Sequence, residues 1–396
     1  MVEEKVKERK ISSKGDDLFS CGRCGNCLAV CPVYKETLDE GNAPRGKLSL
    51  IEALHKQGLQ PSEKFTEKIY TCTQCNYCKN ECPSGVKVDE LFKTVREDLV
   101  EETRHPEVLQ MLKERIEKSY NVTFDTNEGR LEWIKKVPDI DVADHLNKQA
   151  EVIYFVGCVS SFSPRASSIP RAIVTLFKEA GVDFGLLGED EWCCGFPLLS
   201  SGMKKEAIGF ADYNIEKISS LSPKKLITSC PSCYHTFKHE YPELTSKKMD
   251  FEVMHISQYL LELIKKGDLS PGPLELKVAY HDPCDLGRNS GIFEEPREVI
   301  KKIPSVELVE LASNKMQANC CGGGGNLESI NPGLAASIAA KRASEIIESG
   351  ARVLVSSCQQ CERTLSTALK KKKKEIDYKI KVMDLPELVL KSLDNK

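Results

Sequence analysis

Four short apolar runs, rich in β-branched residues, organise the second part of the chain. They cover residues 151–158, 224–230, 276–284 and 351–358, and each run ends at a cysteine. A helical pattern of apolar positions follows each run, as in SSIPRAIVTLFKEAG after the first. Strands and helices in alternation predict βα units on a parallel sheet, whose ligand sites lie at the carboxyl ends of the strands. The pattern therefore predicts that these cysteines lie at a ligand-binding edge.

Helical patterns dominate the N-terminal part of the chain. The segment GNAPRGKLSLIEALHKQG at residues 41–58 predicts a helix that is entered through a proline turn and ended by Gly58. Residues 84 to about 150 are charged and have helical periodicity. We expect this stretch to connect the N-terminal part to the βα units.

Composition narrows the class of protein. The chain has 396 residues, 40% apolar and 29% charged, with a net charge of −3, which favours a soluble globular protein over a fibrous or disordered one. No apolar stretch approaches about 18 to 20 residues, and the first residues are charged where a signal peptide is apolar, so we expect a cytoplasmic protein. Thiols stay reduced there, so eighteen cysteines indicate metal sites rather than disulfides. The near-neutral charge gives no reason to expect a nucleic-acid partner.

Eight cysteines form two copies of the bacterial ferredoxin pattern C-x2-C-x2-C-x3-C-P. In this pattern three thiolates hold one cubane and the fourth reaches the neighbouring cluster, so the ligand sets are predicted to cross. One [4Fe-4S] cluster is assigned to Cys21, Cys24, Cys27 and Cys82, and the other to Cys72, Cys75, Cys78 and Cys31. Zinc sites are the alternative, because C-x2-C is also a zinc-ligand spacing, although the proline after each fourth cysteine has no role in a zinc ribbon.

The other ten cysteines form two copies of a five-cysteine pattern. The first copy contains Cys158, Cys193, Cys194, Cys230 and Cys233, and the second contains Cys284, Cys320, Cys321, Cys358 and Cys361. Corresponding positions keep nearly the same offset, which indicates an internal duplication. Five thiolates are one more than a cubane has iron corners, which favours a cluster of unusual shape with a bridging cysteine. The alternative is that one cysteine per copy only packs as a small hydrophobe.

The predicted fold combines an α+β part with an α/β part. A helical ferredoxin-type domain with two [4Fe-4S] clusters is expected at residues 1–148, together with its connecting helices. Two duplicated βα repeats with parallel strands are expected at 149–273 and 274–396.

The whole arrangement resembles the D-type subunit of heterodisulfide reductase from methane-cycling archaea, in which a ferredoxin-type module is fused to two cysteine-rich CCG repeats. The resemblance implies that each five-cysteine set holds one noncubane [4Fe-4S] cluster and that the ten cysteines are catalytic. It implies reduction of the coenzyme M–coenzyme B mixed disulfide to two thiols, with electrons relayed by the ferredoxin clusters. Our mechanistic hypothesis is that the disulfide enters between the two noncubane clusters. The resemblance also implies an electron-donating partner, either a membrane cytochrome b or a flavin-containing complex, and a peripheral position at the inner membrane face.

Two other functions are compatible with this layout. The first is an electron-conducting iron-sulfur subunit of a flavoprotein 2-hydroxyacid or glycerol 3-phosphate oxidoreductase. Such relatives usually lack one cysteine of the closing C-x2-C, whereas here both copies keep all five, at Cys230/Cys233 and Cys358/Cys361. The second is a reductase of another disulfide, such as that of a sulfur-carrier protein.

Four further residues near the repeat cysteines are candidates for a role in the reaction. His281 and Asp282 precede Cys284 and would either supply a proton to a departing thiolate or form a hydrogen-bonded pair at the strand end. Arg165 and Arg288 follow the first cysteine of each repeat and are candidates to bind anionic groups of a substrate.

Four further features have weaker signals. The run Gly322 to Gly325 would let the backbone approach an inorganic core. His235 and His255 are expected to be structural. The run Lys370 to Lys374 would face either an anionic membrane surface or solvent.

Overall fold

The computed structural model describes residues 9–376 and 378–394, with residues 374 and 375 described by their backbone alone. The N-terminal part is helical, as predicted. Its helices are α1 Gly15–Phe19, α2 Asn26–Val30, α3 Pro32–Thr37, α4 Pro44–Gln57, α5 Glu63–Tyr70, α6 Tyr77–Asn80, α7 Val88–Glu101 and α8 Glu107–Ser119. Short 3-10 turns cover residues 10–14, 40–42, 127–136 and 142–144. Helix α4 begins at its proline and ends at Gly58, as its sequence predicts.

The first repeat alternates strands and helices. Its elements are β1 Val152–Phe155, α9 Cys158–Phe162, α10 Ser168–Glu179, β2 Phe184–Leu186, α11 Phe196–Ser201, α12 Lys204–Ser219, β3 Lys225–Thr228, α13 Pro231–His235, α14 Tyr241–Leu244, β4 Glu252–His255 and α15 Ile256–Lys266. A 3-10 turn at 188–190 and a π turn at 236–240 interrupt the connections. All four strands are parallel, in the order β2-β1-β3-β4.

The second repeat has the same arrangement. Its elements are β5 Leu276–His281, α16 Glu294–Lys301, β6 Val306–Val309, α17 Leu327–Ile330, α18 Pro332–Glu348, β7 Val353–Ser356, α19 Gln359–Lys371, β8 Lys381–Asp384 and α20 Leu385–Leu393, with 3-10 turns at 315–317 and 372–375. The strand order β6-β5-β7-β8 is again fully parallel. Two duplicated repeats with parallel strands are thus confirmed.

One hydrophobic core joins the two repeats. Helices α10 and α15 of the first repeat pack against α20 and α16 of the second, and apolar residues of both sheets extend this core. Burial of apolar surface on these helices is the main force that holds the repeats together. The outer face of each sheet has its own smaller core, under α12 in the first repeat and under α18 and α19 in the second.

Helix α7 is more than a connection. Arg96 on α7 is fully buried, and its guanidinium donates to the carbonyl oxygens of Ser200 at 2.5 Å and Ile69 at 3.1 Å. A second apolar core contains α4, α5, α7 and α8 together with residues of the first repeat. The charged stretch, for which the sequence predicts a connecting role, therefore packs between the N-terminal part and the first repeat.

In the part of the chain that the structure describes, none of the helices has both the length and the apolar character that a membrane crossing requires.

Candidate metal centres

The carboxyl ends of four strands position the cysteines of the repeats. Cys158 and Cys230 follow β1 and β3, and Cys284 and Cys358 follow β5 and β7. Because the strands are parallel, their carboxyl ends meet at one edge of each sheet. The two edges face a common cavity of about 500 Å³. Nine of the ten repeat cysteines line it: Cys158, Cys193, Cys194, Cys230, Cys233, Cys284, Cys321, Cys358 and Cys361.

Within each repeat the thiols contact one another. In the first repeat a chain of hydrogen-bonded thiols runs from Cys158 through Cys193, Cys194 and Cys233 to Cys230. All eighteen cysteines are free thiols. The close packing of five sulfur atoms fits the donor set that iron-sulfur clusters require.

The second repeat differs in one contact. Cys320, Cys321, Cys361 and Cys358 form a similar chain, in which the Cys361 and Cys321 Sγ atoms are 3.3 Å apart. Cys320, the cysteine that does not line the cavity, instead contacts Cys75 of the N-terminal part. The duplication is therefore not fully symmetrical in space.

Two cysteines of the first repeat, Cys194 and Cys230, and Cys321 of the second have a lowered pKa, which for Cys230 is due mainly to a hydrogen bond from the Cys233 thiol. Hydrogen bonds from the Cys193 and Cys233 thiols lower the pKa of Cys194 to about 6 despite its burial. At the corresponding position, hydrogen bonds from Cys320 and Cys361 hold the pKa of Cys321 well below its ordinary value. Each repeat thus stabilises a thiolate, the form that binds metal, at the second cysteine of its CC pair.

The eight ferredoxin-pattern cysteines surround two further cavities. One is lined by Cys21, Cys24, Cys27, Cys78 and Cys82, and the other by Cys31, Cys72, Cys75 and Cys78. The two loops share left-handed residues at matching positions, Arg23 and Gly25 in the first and Gln74 and Asn76 in the second. With Cys78 lining both cavities, the eight thiols are enough to give each cavity the four donors that a [4Fe-4S] cluster requires.

Comparison with known proteins accounts for these groups of cysteines. A cysteine-rich domain family matches residues 152–238 and 278–366, and a 4Fe-4S dicluster domain family matches residues 17–86. The D-type subunit of the dihydromethanophenazine:CoB–CoM heterodisulfide reductase of Methanosarcina acetivorans is 34% identical to this chain, over 95% of the chain and 94% of that relative. This chain belongs to the D-type family of heterodisulfide reductase subunits.

Two further matches are not named as heterodisulfide reductase subunits. The EtfAB:quinone oxidoreductase of Syntrophomonas wolfei is 28% identical over 96% of this chain and 58% of its own length. A hypothetical protein of Helicobacter pylori has a solved structure with a TM-score of 0.64 at 13% identity, covering 89% of this chain and 68% of that one, which shows a shared fold alone. Together the family matches and relatives identify the chain as an iron-sulfur subunit of an oxidoreductase.

In this member of the family, His281 and Asp282 are hydrogen-bonded to arginines. The Arg342 Nε donates to His281 Nδ1 at 3.1 Å, and burial followed by the Arg342 charge lowers the pKa of His281 to about 3. The Asp282 carboxylate accepts two hydrogen bonds from Arg297, at 2.6 and 2.9 Å. Both residues are buried, which supports the structural interpretation over the proton-supply one. His281 nevertheless lies within 4.8 Å of the Cys321 and Cys361 sulfur atoms.

Arg165 and Arg288, the candidates from the sequence for binding substrate anions, do not line the shared cavity. Arg165 is exposed and donates to Thr367 Oγ1 at 3.0 Å. Arg288 is half-buried and donates to backbone carbonyl oxygens. Among the described residues, the arginines that line the cavity are Arg115 and Arg363. Sequence reasoning missed Arg115 because helix α8 lies far from the repeats along the chain, whereas Arg363 could have been found two residues after Cys361.

The two histidines expected to be structural differ in position. His255 is buried, its burial lowers its pKa to about 3, and its Nδ1 accepts from the Ser257 N–H at the start of α15. His235 contacts Ser290 and Glu240 and also lines the cavity of Cys31, Cys72, Cys75 and Cys78.

The lysine run lies at the end of α19. The side chains of Lys370, Lys371 and Lys373 are exposed, while the Lys374 side chain lies outside the described part. A solvated helix end accounts for these positions.

The glycine run after Cys321 approaches protein backbone as well as the cavity. Gly323 to Gly325 line the shared cavity. Gly325, with φ +64°, also lies so close to the second ferredoxin loop that a Cβ atom would be 2.2 Å from the Cys72 carbonyl oxygen. A Cβ at Gly324 would be 2.5 Å from the Thr73 carbonyl oxygen. These two glycines therefore also allow close contact with another cysteine loop, which the sequence did not predict.

Proposed function

We propose that this chain is the catalytic iron-sulfur subunit of a heterodisulfide reductase and reduces the mixed disulfide of coenzyme M and coenzyme B to two thiols. The reaction takes up two electrons and two protons for each disulfide. The observation that carries the proposal is that both five-cysteine sites face one cavity of about 500 Å³. This volume is in the range of small-molecule sites, about 300 to 1,000 Å³. Two equivalent sites on one cavity match a substrate that must receive two electrons.

The ligand assignments from the sequence are part of this proposal. Each five-cysteine set would hold one noncubane [4Fe-4S] cluster, and the crossed ferredoxin sets would hold one cubane each. When bound, such clusters transfer electrons singly and present soft iron to sulfur ligands. The dense thiol contacts in each repeat and the eight thiols that line the two ferredoxin cavities support these assignments.

The remaining cavity wall suits a disulfide with anionic ends. Leu112, Val122 and Phe162 provide apolar surface. Arg115 stacks on Phe124 with its guanidinium carbon 3.4 Å from the ring centroid, and Arg363 pairs with Glu328. Guanidinium groups bind sulfonate, phosphate and carboxylate through paired hydrogen bonds. We assign orientation of the anionic ends to these two arginines.

Electrons would enter at the first ferredoxin loop, because Cys24 is exposed there. The donor would be a partner subunit, either a membrane cytochrome b or a flavin-containing complex. Association with such a partner would place the chain at the inner face of the membrane.

The direct test supplies anaerobically purified, iron-loaded protein with a reduced low-potential dye and a series of disulfides. We expect a strong preference for the coenzyme M–coenzyme B disulfide. Arg363→Gln should raise KM about tenfold, which corresponds to loss of one hydrogen bond to a charged group, with little change in kcat. Arg165→Gln is the matched control and should leave KM unchanged. Indifference to every disulfide would instead favour an electron-conducting subunit, and selective reduction of a protein disulfide would favour a sulfur-carrier substrate.

A further inference from the structure

One thiol of the second ferredoxin loop contacts a thiol of the second repeat. The Cys75 thiol contacts the Cys320 thiol of the second repeat. Apolar residues surround this contact on both sides, including Val33 and Tyr77 from the N-terminal part and Ala335 from α18. A predicted cubane ligand and a predicted noncubane ligand therefore meet away from solvent.

Backbone packing holds the same two loops together. Gly324 and Gly325 lie against the carbonyl groups of Thr73 and Cys72, at positions where any larger residue would collide. Asn76 Nδ2 donates to Asn289 Oδ1 at 2.9 Å, so a side-chain hydrogen bond joins the second ferredoxin loop to the second repeat as well. The distance between the two cysteine loops is thus set by direct packing.

Arg288 connects the loops electrostatically. Its Nε donates to the Cys75 carbonyl oxygen at 2.8 Å, and its Nη1 donates to the carbonyl oxygens of Met316 at 3.1 Å and Ala318 at 2.7 Å. Ala318 precedes Cys320 by two residues. The guanidinium also lies 4.9 Å from the Tyr77 ring centroid. One half-buried cation therefore donates hydrogen bonds to the backbone of both loops.

The first repeat meets the N-terminal part differently. Beside the second ferredoxin loop, the N-terminal part donates to backbone at the end of α11, where Ser200 O accepts from Gln74 and Arg96 and Ser201 O accepts from Tyr70. Its own first cysteine, Cys158, pairs with Cys193 of the same repeat. The first repeat is joined to the second beside Cys230 and Cys358, where Gln359 Nε2 donates to Ser229 O at 2.9 Å.

We propose that the second repeat receives electrons from the ferredoxin module before the first repeat, through the Cys75–Cys320 contact, and that Arg288 is the residue that positions this contact. The inference rests on the proposed cluster ligands. Electrons leave the site of Cys31, Cys72, Cys75 and Cys78 one at a time and enter the second repeat, and no bond is made or broken. The first repeat receives its electron through the second, beside Cys358 and Cys230.

The order of reduction can be measured with the equivalent variants Cys233→Ser and Cys361→Ser, after iron analysis shows that the other clusters are present. The reductant is a reduced ferredoxin, a one-electron protein donor too large to enter the cavity, and no disulfide is added. Freeze-quench electron paramagnetic resonance and Mössbauer spectra follow each cluster. In Cys233→Ser the second repeat should be reduced at the wild-type rate. In Cys361→Ser reduction of the first repeat should slow by about tenfold or more. The proposal would be overturned if the remaining repeat were reduced at the same rate in both variants. It would also be overturned if Cys233→Ser slowed reduction of the second repeat while Cys361→Ser left reduction of the first repeat unchanged.

Substitution of Arg288 provides an independent measurement. Arg288→Gln should slow reduction of the second repeat about tenfold and lower the midpoint potential of the Cys75 site, because a nearby positive charge favours the reduced cluster. Arg288→Lys should preserve the potential but not the rate, since an ammonium group cannot reproduce the guanidinium geometry that reaches both loops. Arg165→Gln, at an exposed arginine, is the control. Wild-type potential and rate in Arg288→Gln would refute the positioning role.

These measurements are independent of the proposed disulfide chemistry. If the protein reduces no disulfide but the order of reduction holds, the proposed function fails and the electron route stands. If disulfides are reduced but the two ligand variants behave alike, only the electron route fails.

Discussion

Arg130 should be essential for stability of the first repeat, and Arg130→Met tests this. Arg130 lies on the 3-10 turn at 127–136, and its Nη1 donates to Glu191 Oε1 at 2.8 Å, with both side chains almost completely buried. Glu191 in turn accepts from the Val156 and Gly157 N–H groups, each at 2.8 Å. The pair thus holds the backbone that leads into Cys158, whose sulfur lies 3.6 Å from Arg130 Nη2.

The expected magnitude follows from removing one partner of a buried ion pair. Methionine keeps much of the side-chain volume but leaves the Glu191 carboxylate buried without its cation. Such a change costs about 3 to 5 kcal/mol of unfolding free energy. Lys135→Met on the same turn is the matched control, because Lys135 and its partner Glu132 are 69% and 63% exposed. It should change stability by less than about 0.5 kcal/mol.

The loss should also depend on pH. Burial already raises the pKa of Glu191, and without Arg130 that pKa should rise further. Between its ordinary value and the raised value, the folded state binds more protons than the unfolded state, so stability falls as the pH rises. The destabilisation by Arg130→Met should therefore be larger at pH 8 than at pH 5.5.

Anaerobic urea unfolding followed by circular dichroism at these two pH values measures both effects. A change in the urea midpoint with an unchanged dependence on urea concentration would show that the substitution changes stability. Unfolding of Arg130→Met within about 1 kcal/mol of wild type at pH 8 would contradict the reasoning on the buried pair. A destabilisation by Arg130→Met that becomes larger as the pH falls would contradict it as well.

Three further predictions follow from other contacts. Gly325→Ala should destabilise the protein and slow reduction of the second repeat. The control is Gly291→Ala, because Gly291 has φ +76° but open space around it; this variant should lose only about 1 to 2 kcal/mol of unfolding free energy, from backbone strain. Because the buried His255 has a pKa of about 3, the free energy of unfolding should decrease as the pH falls from about 6.5 toward 3. His255→Asn, which can still cap α15, should reduce this decrease by up to ~1.4 kcal/mol per pH unit. Iron analysis of anaerobically assembled protein should give about sixteen irons per chain, falling by about four in Cys361→Ser; far fewer in the wild type would contradict four clusters.

Local patterns were sufficient to predict most elements of this chain. The β-branched runs that end at cysteines became strands β1, β3, β5 and β7, because alternation and length are properties of a few neighbouring residues. The helix that ends at Gly58 was equally predictable from its proline and glycine. The internal offset between cysteines revealed the duplication, whereas the crossing of the two ferredoxin ligand sets stays a prediction.

Contacts between distant loops were decided only by the tertiary structure. The repeats look equivalent along the chain, yet Cys320 contacts Cys75 while its counterpart Cys193 pairs with Cys158. Likewise Arg288 donates hydrogen bonds to two loops that are distant along the chain. Spacing describes what lies near a residue in sequence, whereas these contacts depend on how the helical N-terminal part packs against both sheets. The sequence alone therefore determined how the cysteines group into sets. The packing of the N-terminal part against the two sheets decided which sets contact each other.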